Sequence, residues 1–255
     1  MTKKEKPFAK EADLCSTFIA AATHDGEWTA YPETAGFDIL MVRKSDGAQI
    51  GVEAKLALNA KVLDQALPSY LQSFGADRSA PDYRAVLVPK HASGGLVKVC
   101  EALGIMVIRQ SGWDEYRMGR EYPRFDPELP TGSQYENEGW HDWCPTTRIM
   151  VPDYVPDVEA GHPSPLALTD WKIRAIKMAI LATLRPVTRA DFKALRLSPT
   201  IWTNPKGWLV SEGRGKGYVP SPRMPDFKKQ HPVNYDQIAA DIEKWEPARK
   251  IGDLI

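Results

Sequence analysis

The sequence predicts an α/β protein in which a mixed β-sheet flanked by helices precedes a smaller, mostly helical unit. Three observations carry this. Between residues 8 and 110, short runs rich in β-branched and aromatic residues alternate with stretches of helical periodicity. From 112 to 163 that periodicity lapses in a stretch with many prolines and with Trp113, Trp140 and Trp143. The charge then changes sign: residues 1–159 hold 17 Lys and Arg against 24 Asp and Glu, whereas residues 160–255 hold 16 against 9.

The elements follow in order. Residues 8–23 read as a helix with Leu14, Phe18 and Ile19 on one stripe, closed by His24-Asp25-Gly26. WTAYPE, FDILMVRK and QIGVEAKL read as three strands, and Ser45-Asp46-Gly47 makes a hairpin of the second and third. Residues 59–74 have helical spacing with Asn59 as N-cap, and Pro68 kinks or ends the run. YRAVLVP is a strand, GGLVKVCEALG a short helix ended by Gly104, and IMVIR another strand. This late β-α-β order calls for a mixed sheet with interior strands covered on both faces. The stretch 112–163 reads as an irregular Trp- and Pro-rich connector, too aromatic to hang free.

Beyond 164, Thr169 caps DWKIRAIKMAILATL, whose Ile173, Ile176, Ile180 and Leu184 fall on one helical face. Thr188 caps a second short helix, SPTIWTNPKGWLV follows, GRGKGYV is rich in turn residues, and YDQIAADIEKW reads as a last amphipathic helix. Two helices, a short third and a Gly-rich hairpin outline a winged helix-turn-helix. Trp202 and Trp208 read as its core, with base-stacking platforms as the alternative. The domains expected are therefore 1–111, the connector 112–163, and 164–255.

Composition narrows the functional classes. With 43% hydrophobic and 26% charged residues the chain is an ordinary globular one, and no apolar run approaches the length of a membrane span. The first residues do not read as a signal peptide. Three widely spaced cysteines, an odd number, argue against a disulfide framework and for a reducing, cytoplasmic setting. Residues 170–229 hold 13 basic against 4 acidic side chains, a balance suited either to a polyanion or to a solvated face. On the proposed wing, Arg214 and Lys216, with Lys206 before it, are the candidate phosphate contacts; a plain hairpin turn is the alternative.

The chemistry concentrates at Val52-Glu53-Ala54-Lys55. Strand alternation puts Glu53 and Lys55 on one face of an apolar strand. Asp38 lies eight residues before Asp46 and Glu53 seven after it, so pairing through the turn brings the two carboxylates to one end of the sheet. Two carboxylates and an ammonium so placed can hold Mg²⁺ and orient an attacking water beside a phosphodiester. Glu33, on the preceding strand, is either a third carboxylate or a turn residue beside Pro32. His141, Cys144 and His162 match no zinc-ligand spacing, and GRGKG lacks the Lys-Ser/Thr ending of a phosphate-binding loop.

On Asp38 and Glu53-Ala54-Lys55, within that strand order, residues 8–110 resemble the PD-(D/E)XK nuclease superfamily. The resemblance implies a restriction-endonuclease-like fold, with Asp38, Glu53 and Lys55 catalytic. It adds Glu11 on the first helix as a further acid and metal ligand, and Gln65 on the helix after the E-x-K strand. It also implies Mg²⁺ as cofactor, with Mn²⁺ substituting, and DNA as partner. Gly36-Phe37 stands where the signature proline would be, and Gln65 to Tyr70 is one residue longer than in the helicase-associated subgroup. The run from YPETAGFDILMVR to VLDQALP is similar to phage- and prophage-borne members that continue into a winged-helix tail, which implies a bacterial or phage-infected cell. A second class stays open, a catalytically silent nuclease-fold module that binds DNA or protein. The oligomeric state is open too, a homodimer included.

Overall fold

Helix α1 (Glu11–Ala22) buries Ala12, Leu14, Cys15 and Phe18 and leaves its other side to solvent. In the computed structural model, which describes residues 8–67, 79–90, 95–115, 121–131, 139–161 and 167–247, this helix covers one face of a six-stranded sheet. The strands are β1 (Trp28–Thr34), β2 (Phe37–Arg43), β3 (Gln49–Ala54), β4 (Tyr83–Val88), β5 (Ile105–Glu115) and β6 (Glu121–Asp126), and their spatial order is their chain order. The first three pair antiparallel, β3-β4-β5 pair parallel, and β6 returns antiparallel at the edge. Parallel neighbours need crossovers, and these carry α2 (Ala60–Ala66) and α3 (Val97–Ala102).

The central strands β3 and β4 are buried at all their positions, as strands covered on both faces must be. Leu14 and Phe18 of α1 pack on Ile39, Met41, Ile50, Val52 and Ala54. On the other face Val62, Leu63 and Ala66 of α2 pack with Val86, Val88, Cys100 and Ile105. The β2-β3 turn closes where expected. Gly47 takes φ 73°, and Asp46 accepts from the Arg43 guanidinium at 2.8 and 2.9 Å and from the Ala48 amide at 3.0 Å. Asn59 caps α2 by accepting from the Val62 amide at 3.2 Å. The continuation of that helix expected from Pro68 onward lies outside the described residues.

The stretch from 112 to 163 departs from expectation. Rather than an irregular connector, its start prolongs β5 past a bulge between Gln110 and Gly112, and residues 121–126 add β6. β6 carries Pro123 and has one neighbour, the edge position where a missing N–H is tolerated. Residues 139–151 are then tied to the sheet. Gln49 donates to Ile149 O at 2.7 Å and accepts from its amide at 2.9 Å, and Arg148 meets Asp82 at 2.9 Å. The Trp143 ring nitrogen donates to Gly104 O at 3.2 Å.

The chain divides into two compact units, Met1–Val151 with Val158–Pro165, and Pro152–Asp157 with Leu166–Ile255. The second therefore includes a segment upstream of the expected boundary at 164. It contains α4 (Asp170–Leu184), α5 (Arg189–Ala194), α6 (Pro199–Thr203), the hairpin β7 (Leu209–Ser211) and β8 (Tyr218–Pro220), α7 (Phe227–Gln230), α8 (Pro232–Ala240) and α9 (Ile242–Trp245). Between α4 and α5, Val187 exchanges both backbone hydrogen bonds with Tyr218 at 2.9 Å. Thr169 caps α4 by accepting from the Lys172 amide at 3.2 Å. Ile173, Ile176 and Ile180 are buried, but Leu184, expected on the same stripe, is 64% exposed at the helix end. Trp202 is fully buried and packs edge-on against Trp208 at 5.0 Å. The tail helix is broken at Asp241 into α8 and α9.

One contact fastens the upstream segment. Asp157 accepts from the Val233 and Asn234 amides at 2.9 and 3.1 Å, capping α8, and meets His231 Nδ1 at 2.8 Å. Asn234 returns a bond, accepting from the Asp157 amide at 2.9 Å. No helix among the described residues is long and apolar enough to cross a membrane. The described cysteines are all unpaired, Cys15 and Cys100 buried and Cys144 exposed.

Candidate active site

The hairpin register decides the site. Ile39 stands opposite Val52, so one step outward Asp38 stands opposite Glu53, and directly opposed residues share a face of the sheet. Asp38 is anchored, with Oδ2 accepting from the Ala54 amide at 2.7 Å. Lys55 follows the last residue of β3 and swings toward α1. Its Nζ lies 2.8 Å from Glu11 Oε2 and 3.9 Å from Asp38 Oδ2. Glu53 is 2% exposed, and its Oε1 is buried with no hydrogen-bond partner.

Electrostatics shows what this crowding does. Burial, then the Asp38 charge, push the Glu53 carboxyl up to about 8, while Lys55 and Arg84 pull the other way. Burial also raises Asp38, opposed by the Ala54 amide and Lys55. Burial would lower Lys55, but its bond to Glu11 and the charge of Asp38 outweigh this and raise it. The Cys15 thiol is driven up by burial and by Asp38, Glu33 and Glu11, so it is an inert neighbour and no nucleophile.

Asp38, Glu53, Lys55 and Glu11 are thus brought together, with Glu11 held by Lys55 instead of turned to a common point with the other two acids. Gln65 is not brought in: it is exposed on α2 and makes no hydrogen bond to Asp38, Glu53 or Lys55. Glu33 sits at φ 47° and accepts from the Gly161 amide at 2.8 Å. Gly161 takes φ 77°, and a Cβ there would lie 3.1 Å from Cys15 Sγ and from the Glu11 carbonyl carbon. Only glycine lets this segment run so close to the start of α1.

Sequence reading missed Arg84. It is 5% exposed on β4, opposite Gly51 and so on the face of Glu53, with its guanidinium over the Phe37 and Trp143 rings at 5.5 and 5.4 Å. It donates to Ala66 O at the end of α2. An arginine inside a strand buried on both faces was itself the signal, since such charges are seldom buried without a task.

Among the described residues no group of three or more His, Cys, Asp or Glu could hold a metal ion. Two carboxylates suit Mg²⁺ nonetheless, because it keeps several waters and takes its remaining ligands from substrate phosphate. The unpartnered Glu53 oxygen, and a Glu53 carboxyl raised by burial and by the Asp38 charge, are what a divalent cation would relieve.

In the second unit Lys206, Arg214 and Lys216 are all exposed. Arg214 and Lys216 lie in the β7-β8 loop, where Gly213, Gly215 and Gly217 take positive φ. No protein-family model matches the chain, and no curated protein matches it.

Proposed function

We propose that the chain is a Mg²⁺-dependent phosphodiesterase that hydrolyses DNA. The observation that carries this is the buried Glu53 carboxyl opposite Asp38, its Oε1 without a hydrogen-bond partner, with Lys55 two residues along the chain. Asp38 and Glu53 would hold the ion, Asp38 in the orientation that the Ala54 amide imposes. Bound there, Mg²⁺ would supply Lewis acidity and a sink for charge developing on phosphate, and Mn²⁺ would substitute. Lys55 offers its ammonium to that charge, and Glu11 keeps it extended along the site. Arg84 gives Glu53 a counter-charge from inside the sheet.

The second unit supports a winged helix-turn-helix in its order: α4, the Val187 bridge, α5, α6 and the β7-β8 hairpin. With Arg214, Lys216 and Lys206 exposed, it would grip the DNA backbone. The test is cleavage of blunt, single-stranded and branched DNA with Mg²⁺ and Mn²⁺. Wild type should cut at least one of these, and Asp38→Ala and Glu53→Ala should lose about 10²- to 10³-fold while keeping the fold. Equal cutting by both variants would refute the assignment.

One observation favours a silent scaffold instead, namely that Lys55 is already satisfied by Glu11 and, among the described residues, no third ligating side chain joins Asp38 and Glu53. The readings separate on Mn²⁺ binding. An enzyme site predicts a melting temperature raised by Mn²⁺ in wild type but not in Asp38→Ala.

A further inference from the structure

Helix α5 carries an arrangement that folding alone does not favour. Arg189 and Lys193 are four residues apart and hence neighbours on one helical face, where like charges repel. The acid between them does not relieve this. Asp191 is 4% exposed on the other side, held by Arg185 at 2.7 and 2.8 Å and by the Thr188 amide at 2.7 Å. Neither the Arg189 nor the Lys193 side chain has an ion-pair or hydrogen-bond partner among the described residues.

Both instead border a hollow of about 510 Å³ between α5, the start of α6 and β8. Its floor is apolar and aromatic. Phe192 is buried beneath it, and the half-buried Tyr218 ring stands edge-on to Phe192 at 6.5 Å. Leu197, Pro199 and Thr203 complete the wall, and no acidic side chain among the described residues lines the space. A hollow of this size with an aromatic floor and a cationic rim suits a flat, apolar-faced group that carries a phosphate. A base within a duplex is stacked and paired and cannot enter; an unpaired one can.

We infer that this hollow takes one unpaired nucleotide of a DNA strand, with its phosphate between Arg189 and Lys193 and its base against Tyr218. The inference rests on the reading that the second unit binds nucleic acid, and it narrows the substrate class to DNA with a single-stranded or bulged nucleotide.

The test is binding by the full chain, in EDTA to prevent cleavage. The probes are a blunt duplex, the same duplex with one unpaired nucleotide, and a single strand. Wild type should prefer the two probes with an unpaired base by about 5- to 160-fold, the range for stacking one base on an aromatic ring. Tyr218→Leu keeps an apolar contact on Phe192 and should erase that preference while leaving blunt-duplex affinity unchanged. The double variant Arg189→Gln/Lys193→Gln changes exposed side chains only. It should lower the log–log salt slope on the single strand by about 0.7, one phosphate's share. Equal wild-type affinity for blunt and bulged duplex, or a preference that survives both variants, would overturn the inference alone. Failure to bind any of the probes would overturn the nucleic-acid reading of the second unit and this inference with it.

Discussion

Replacing Glu53 by Gln tests the buried carboxyl without assuming any activity. In the folded chain this group titrates at about 8 against an ordinary 4.5. It is therefore protonated in both states below pH 4.5, and the unfolded state gains by ionising as pH rises from there toward 8. Wild-type stability should fall over that window and level off above it. A tenfold difference in proton affinity between the two states is worth about 1.4 kcal/mol, so the loss between pH 5 and pH 8 comes to about 3 kcal/mol. Glutamine cannot ionise, so its stability should lack this fall, and any packing cost of the amide is the same at each pH. The assay is urea unfolding in a chelator across that range, read by hydrogen exchange of the β3 and β4 amides. The wild-type and Glu53→Gln curves should diverge by about 3 kcal/mol, and Mg²⁺ should close the gap by stabilising wild type alone. Curves that stay parallel with pH would refute the claim that Glu53 holds a suppressed charge.

Three further outcomes follow from contacts already described. Glu11→Gln should lower cleavage about 10- to 100-fold, as loss of an orienting partner does, and leave Mn²⁺ affinity unchanged in titration calorimetry. Weaker Mn²⁺ binding would instead make Glu11 a ligand. Arg214→Ala and Lys216→Ala should each reduce the log–log salt slope of duplex binding by about 0.9 in anisotropy titrations, and unchanged slopes would remove the loop from the interface. Asp191→Ala leaves the 13% exposed Arg185 with only Glu246, at 3.6 Å, as an ion-pair partner among the described residues, and should cost about 3 kcal/mol in the calorimetric transition of the second unit.

The parts of this protein that follow a period or a turn rule were legible in its sequence. The register that sets Asp38 across from Glu53 followed from Asp46-Gly47 and strand alternation, because slipping by one residue would exchange the faces of β2 and take Ile39 and Met41 away from the core they share with Leu14 and Phe18. β6 was not legible: EYPRFD mixes charges with a proline, and its strand character comes from pairing with β5. The bond between Lys55 and Glu11 spans 44 residues and depends on how α1 crosses the end of β3, which no local pattern encodes. Gln65 fell on the expected helix but on its exposed side, since Val62, Leu63 and Ala66 claim the inner face. Leu184 kept the helical spacing but lies in the last turn, beyond the reach of the core.

The Asp157 contacts bear on how the molecule can be cut. The chain passes from the first unit to the second at 152, returns at 158 and leaves again at 166. A fragment designed to begin at 164 would look complete on sequence grounds, yet it would lack the carboxylate that caps α8 and meets His231. That imidazole, 0% exposed, would then face a gap, and the Val233 and Asn234 amides would lose their acceptor. A working fragment has to start no later than Pro152. It would then carry residues 158–165 along, pulled from the first unit, where the Gly161 amide binds Glu33. Separating the two units therefore opens one of them whichever side of this segment is chosen.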